Sequence, residues 1–223
     1  MSPINQFIAP RAPQYLDDLP RMFRQVMRGR LYDGKSMTVV ACKASDPDTP
    51  VGHGTFSRLG NDAGARAFKA EVATSKSLLH KLWMYILSLF FWVFNKIDLL
   101  LRKPRAFDPD AVREIKEWNR LDDEKYWTSH PERTNRWFIN SLIVNPDHHG
   151  KGIGKMLMAD PLQRAQKERV IVSLTSSPHG EFLYRRLGFE MLGDFHKRPP
   201  GDNGGGGYMI WYPEGYEGIH HTD

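Results

Sequence analysis

Residues 137–144 (WFINSLIV) form a short apolar run rich in β-branched side chains that stops at Asn145-Pro146. A glycine-rich turn follows, Gly150-Lys151-Gly152-Ile153-Gly154, then a helix-patterned stretch over 152–168, then a second apolar run at 170–176 (VIVSLTS). Strand, glycine turn, helix and strand in that order make a β-α-β unit. Its crossover helix lets the second strand return parallel to the first, so the chain requires a mixed α/β fold with locally parallel strands.

The flanking segments extend this pattern. Residues 180–187 predict a short helix closed by Gly188, 189–195 a further strand, and 208–212 (YMIWY) a last one, through which a homodimer could form. Upstream, 6–9 predicts a first strand. Leu16, Leu19, Phe23, Val26 and Met27 predict a helix over 15–27 ended by Gly29. Residues 37–44 and 51–59 predict a hairpin around a DPDTP turn, and 108–124 an amphipathic helix capped by Asp108. Pro161 is expected to kink or shorten its helix. The glycine run 204–207 and the tail after Pro213 read as flexible connectors. A length of 223 residues suits one compact domain, 1–223, with a helical insertion at 61–136.

Within that insertion, 78–101 (LLHKLWMYILSLFFWVFNKIDLLL) is almost uninterrupted leucine and aromatic. Its uncharged core, 82–95, falls short of the roughly 20 residues a spanning helix needs. The expectation is therefore a helix buried against the core or roofing a pocket, with peripheral membrane contact as the alternative.

Charge and cysteine content narrow the classes further. Lysine plus arginine number 31 against 26 acidic residues, a net charge of +5. The basic residues are interspersed with acidic ones rather than gathered with aromatics, so nucleic acid is not the expected partner. The single cysteine, Cys42, leaves no disulfide framework and no CxxC motif. That and the lack of a basic start followed by an apolar run point to a cytoplasmic location, with membrane association through 78–101 as an addition. The His148-His149 and His220-His221 pairs lack the companion ligands of a closed zinc site, so no metal is expected.

A glycine turn entering a helix presents free backbone N–H groups at the positive end of the helix dipole, which suits a phosphate. Neither GxxxxGK[ST] nor GxGxxG is matched. The run His149-Gly150-Lys151-Gly152-Ile153-Gly154, preceded by SLIVNP and followed by FLYRRLGFE, resembles the [QR]-x-x-G-x-[GA] and downstream blocks of the GCN5-related N-acetyltransferases, the GNAT superfamily. The LYRRLGF block resembles fungal members in particular. The resemblance covers 137–195 closely and does not include the hydrophobic insertion.

It implies a GNAT fold: a mixed central sheet with splayed parallel strands flanked by helices. It also implies direct, metal-free acetyl transfer from acetyl-coenzyme A to an amine. In that reading Leu142, Ile143 and Val144 pair with the pantetheine arm, and the Leu142 N–H meets the thioester carbonyl. His149, Gly150, Lys151, Gly152, Ile153, Gly154 and Lys155 hold the pyrophosphate. Tyr184 protonates the departing thiolate and touches the cofactor.

Three positions depart from the family pattern. His149 replaces glutamine or arginine, Ser177 stands where many members place an asparagine on the pantetheine arm, and Phe138 occupies the glutamate-base position of histone-type members. A base must still accept the amine proton. His53, within Gly52-His53-Gly54, is the candidate, with Asn140 or Ser141 able to orient a water. If the insertion lined the acceptor pocket, a small apolar amine would be the substrate. The missing glutamate leaves two alternatives, a non-catalytic coenzyme A-binding or interaction module and different chemistry on the same fold.

Overall fold

The structure, a computed structural model, describes residues 2–32, 36–74 and 78–220. The chain forms two compact units. A sheet unit comprises Ser36–Phe68, Asp123–Phe195 and Gly204–Asp223, and a helical unit comprises Met1–Lys35, Lys69–Asp122 and His196–Asn203.

The sheet unit holds β1 (Ser36–Lys43), β2 (Asp46–Leu59), β3 (Arg136–Val144), β4 (Ile171–Ser176), β5 (Glu190–Gly193) and β6 (Gly207–Trp211) in spatial order β1-β2-β3-β4-β6-β5. Among the described residues only β3 and β4 pair in parallel, and the helix α6 (Ile153–Glu168) between them is the crossover that the glycine turn announced. The fold is a mixed α/β one, as expected. Helix α7 (Pro178–Arg186) follows β4, and α3 (Ala63–Thr74) begins in this unit and ends in the other.

One cluster of the sheet unit's core lies between α6 and a sheet face, and another gathers Tyr126, Trp127 and Tyr208. Trp137 is fully buried with its ring edge against Phe68, centroids 4.9 Å apart, and its indole N–H donates to Glu168 at the end of α6 (3.1 Å). Leu142 and Val144 pack on the same side with Ile153 and Leu157. Odd positions thus face α6 at the start of β3 and even positions at its end. The change comes from a bulge: Phe56 pairs with Ile139 and Thr55 with Ser141, leaving Asn140 as the extra residue.

Several local expectations are corrected. The 6–9 stretch is not a strand but belongs to α1 (Pro3–Ile8), where Ser2 Oγ accepts the Asn5 N–H (3.4 Å) and Pro3 opens the helix. These capping signals outweigh a short apolar run. Gly29 does not end α2 (Asp18–Tyr32), because an exposed glycine weakens a helix without breaking it. The DPDTP segment is strand: β2 starts at Asp46, and register shifts between Ala41 and Lys43 absorb its prolines at an exposed strand end. Pro161 sits buried inside α6, whose helical span runs on to Glu168. The last strand, β6, offers no edge to a second copy, since it is paired with β4 and β5.

The glycines at 204–207 are seated rather than loose. All four have positive φ, Gly206 donates to Glu181 (2.8 Å), and a Cβ on it would stand 2.3 Å from the Ser176 carbonyl.

The helical unit contains α1, α2, α4 (Leu78–Leu101) and α5 (Pro109–Asp123). Asp108 caps α5, its carboxylate accepting from the N–H groups of Asp110 (2.9 Å) and Ala111 (3.4 Å). Helix α4 overturns the expectation of burial. Its apolar side chains face solvent, with Leu79, Tyr85 and Trp92 among the exposed ones. The stretch Leu82–Leu101 is long and apolar enough to cross a membrane, and its most apolar part is not buried.

Candidate functional site

Parallel pairing between β3 and β4 covers only Arg136↔Ile171 through Ile139↔Leu174. Past the bulge at Asn140, β3 has no strand beside it on that side, so the two strands splay and leave a gap. The Asn145 N–H donates to the Val51 carbonyl (2.8 Å) and so points toward β2. Strand alternation then turns the Ile143 N–H the same way and leaves those of Leu142 and Val144 facing the gap. The Val144 carbonyl fits this, because it accepts from His149 and not from β2.

At the mouth of the gap the chain turns into α6. Gly150 (φ 74°) and Gly152 (φ 77°) both take left-handed conformations, and a Cβ on either would meet nothing within 4 Å. The loop therefore needs glycine for its backbone and borders open space. The first bond of α6 runs from the Met156 N–H to the Gly152 carbonyl (3.0 Å). The N–H groups of Ile153, Gly154 and Lys155 precede it and are those a helix start leaves for an outside acceptor.

The loop's basic side chains, though exposed, bond back to its own backbone. His149 Nε2 donates to the Val144 carbonyl (2.9 Å), tying the turn to the strand end. Lys151 Nζ donates to the Asp147 carbonyl (3.0 Å) and lies 3.3 Å from His148 Nδ1. Desolvation first, then the ammonium groups of Lys151 and Lys43, holds the His148 imidazole below its usual value. These contacts prop the cradle, and any hold on a phosphate falls chiefly to the backbone.

Ser177 is the cap of α7, accepting from the Gly180 N–H (3.2 Å). Tyr184, two turns beyond that cap, is buried in an edge-to-face contact with Phe189 (5.7 Å between centroids). Burial pushes its phenol up to about 12. Gly154 joins the two elements, since its missing Cβ leaves room for Leu183.

On the sheet face away from α6, His53 pairs in register with Ile143, and Thr55 with Ser141. The Nε2 of His53 and the Oγ of Ser141 are both buried without a hydrogen-bond partner. Buried polar atoms are normally satisfied, so two orphans on one sheet face, two ladder positions apart, mark a place for a polar group from outside. Asn140 instead donates to Ser57 Oγ (2.7 Å). The Ser141 orphan was hidden in the sequence, because only the bulge decides which face it takes. Among the described residues no group of three or more His, Cys, Asp or Glu side chains is placed to hold a metal, and His221 lies outside them.

Residues 128–198 match the family model of the acetyltransferase (GNAT) domain. A curated relative, an uncharacterized N-acetyltransferase ycf52 from the red alga Gracilaria tenuistipitata var. liui, is 34% identical over 76 residues, which are 34% of this chain and 36% of that protein. The chain thus spans about a third of the length of the curated relative it matches. An algal relative lends nothing to a fungal-type reading of LYRRLGF. Among solved structures, a histone acetyltransferase HPA2 and related acetyltransferase from Corynebacterium glutamicum aligns with 93% of this chain and 80% of its own at 17% identity, TM-score 0.48. Tetrahymena GCN5 aligns with 90% of this chain and 80% of its own at 13% identity, TM-score 0.40. At such scores the fold assignment rests on the sheet topology itself.

Proposed function

We propose that the protein is an acetyl-coenzyme A-dependent N-acetyltransferase acting on an amine of a small molecule by direct transfer. The gap beyond Ile139 carries this reading: it opens beside inward-facing strand N–H groups, with the positive-φ glycine loop at its mouth, inside the segment that matches the GNAT domain model. The site fits the cofactor, with open space over Gly150 and Gly152 and unpaired strand edge at 142–144.

Acetyl-coenzyme A would supply an activated acetyl group. The loop N–H groups of residues 150–155 would hold its pyrophosphate, and Leu142 and Val144 its amide-bearing arm. The Leu142 N–H would donate to the thioester carbonyl oxygen. Tyr184, kept neutral by burial, would hand its proton to the leaving sulfur. A phenol near 12 is a weak acid for a thiolate in water, but the same burial raises the basicity of a sulfur beside it. His53, with Ser141, would take the proton of the amine.

The apolar character of the acceptor rested on the insertion lining the pocket, and α4 turns its apolar side outward. The proposed acceptor is therefore a small amine, with no apolar character assigned to it. Calorimetric titration with acetyl-coenzyme A, then free-thiol release with a panel of polar and apolar amines, tests the reading. Binding with amine-dependent release that collapses in Tyr184→Phe is the expected result. Binding without release from any amine would favour a non-catalytic module, and absence of binding would remove the cradle.

A further inference from the structure

Helix α4 is built inside out. Its narrow inner face meets α2 through polar and cationic contacts. Gln25 donates to Asp98 (3.0 Å), Arg21 lies 3.7 Å from the same carboxylate, and the Arg28 guanidinium sits 5.2 Å from the Phe91 ring centre. Asn95, between Phe91 and Asp98 on that face, has a buried Oδ1 with no partner. At 100° per residue, the opposite side carries Leu82, Ile86, Leu89, Val93, Ile97 and Leu100, all exposed. Tyr85 and Trp92 flank this stripe on one side and Trp83 on the other, all exposed. Aromatic side chains with a polar tip favour the headgroup level of a bilayer.

The stripe ends at charge. Beside Leu100 and Leu101 a polar groove is lined by Arg21, Arg24, Arg102, Lys103 and Arg105, opposed only by Asp17 and Asp18. Asp18 pairs with Arg21 (3.3 Å) and accepts the Ala106 N–H (2.9 Å), which leaves Arg24, Arg102, Lys103 and Arg105 facing Asp17. An apolar stripe, flanking aromatics and a cationic groove at its end together match one occupant.

We propose that α4 docks on an anionic lipid bilayer, lying in the interface with the Leu82–Leu100 stripe in the acyl boundary and the Arg102–Arg105 end against the headgroups. A helix so placed sinks about 5–10 Å. It does not span, because a spanning α4 would carry Arg21, Arg24, Arg28 and Asp18 of α2 into hydrocarbon with it. Lying flat leaves α2 on the water side. The docking requires neither coenzyme A nor an acceptor, so it stands or falls apart from acetyl transfer.

Flotation of the full chain with phosphatidylcholine vesicles, with and without phosphatidylserine, tests it. The protein should float with the phosphatidylserine vesicles, lose about tenfold in partitioning on Arg102→Glu/Lys103→Glu, and be released by high salt. Val93→Glu, at an exposed position, should abolish flotation while leaving the circular dichroism spectrum unchanged. Failure to float with either vesicle overturns the proposal. So does a lipid-free dimer, seen by light scattering, that Val93→Glu dissolves, because a second copy would then cover the stripe. Resistance to alkaline carbonate extraction would overturn it too, by showing a helix that spans.

Discussion

A Cβ on Gly154 would stand 2.8 Å from Cδ2 of Leu183, so the first turn of α6 and the helix that carries Tyr184 are spaced by a side chain that is not there. Gly154→Ala must push Leu183 aside. Alanine favours the helix by up to about 1 kcal/mol over glycine, which offsets much of the crowding. The melting temperature should therefore stay within a few degrees while amine-dependent thiol release falls about tenfold, the expected cost of a small misplacement at a reacting centre. Unchanged release would separate the α6–α7 spacing from catalysis.

Tyr184 gives a pH-dependent signature. Its phenol rises from about 10 in the unfolded chain to about 12 in the fold because burial disfavours the phenolate. The folded value is the higher one, so the contribution to stability is complete below about pH 10 and is lost as pH climbs from there through about 12, amounting at most to about 3 kcal/mol. Urea unfolding between neutral pH and pH 11 should show a shallower alkaline decline for Tyr184→Phe than for the parent chain. The same variant should transfer acetyl at least about a hundredfold more slowly, as removal of a general acid does. Retention of full activity would leave Tyr184 as a packing residue against Phe189.

Much of this arrangement is legible in the sequence. The apolar run at 137–144, the glycines after it and the helical spacing up to Glu168 specify strand, positive-φ turn and crossover helix by local chemistry alone, and the structure keeps their order. What escapes is set by tertiary context. Nothing in WFINSLIV marks Asn140 as an extra residue, yet the bulge there moves Leu142 onto the α6 face and leaves Ser141 on the other. Hydrophobicity says that α4 avoids water without saying what covers it. At 6–9 a short apolar run that predicts a strand loses to Ser2 and Pro3, which start a helix.

The end of α6 is anchored by a buried guanidinium. Arg58 has a fully buried side chain, 2.7 Å from Glu168 and 2.5 Å from Asp62, and Glu168 also receives the Trp137 indole N–H (3.1 Å). Glu168→Ala strips one counter-charge and the indole's acceptor together. It should cost about 3 kcal/mol in urea unfolding, at the lower edge of losses from broken buried pairs because Asp62 remains. Replacing both partners by leucine should recover part of that loss, since the buried charge leaves with its partner. A double variant no more stable than Glu168→Ala would mean that Arg58 packs through its stem.

A proton acceptor at His53 would separate proton transfer from cofactor binding. His53 lies on β2 with Nε2 buried and unpartnered, across from Ile143 and two ladder positions from Ser141 on the same sheet face, whose hydroxyl is itself an orphan. A base that meets the amine and not the cofactor should affect turnover alone. His53→Ala should leave acetyl-coenzyme A affinity within about twofold and lower kcat by about a hundredfold or more. Added imidazole should restore part of the rate, because a small base can enter the space the ring vacates. His53→Gln, which keeps a polar group of similar size but cannot accept the proton, should fold normally and stay slow. Loss of cofactor affinity together with kcat in both variants would assign His53 to the shape of the β2–β3 ladder, and removal of the amine proton would then rest with water held at Ser141.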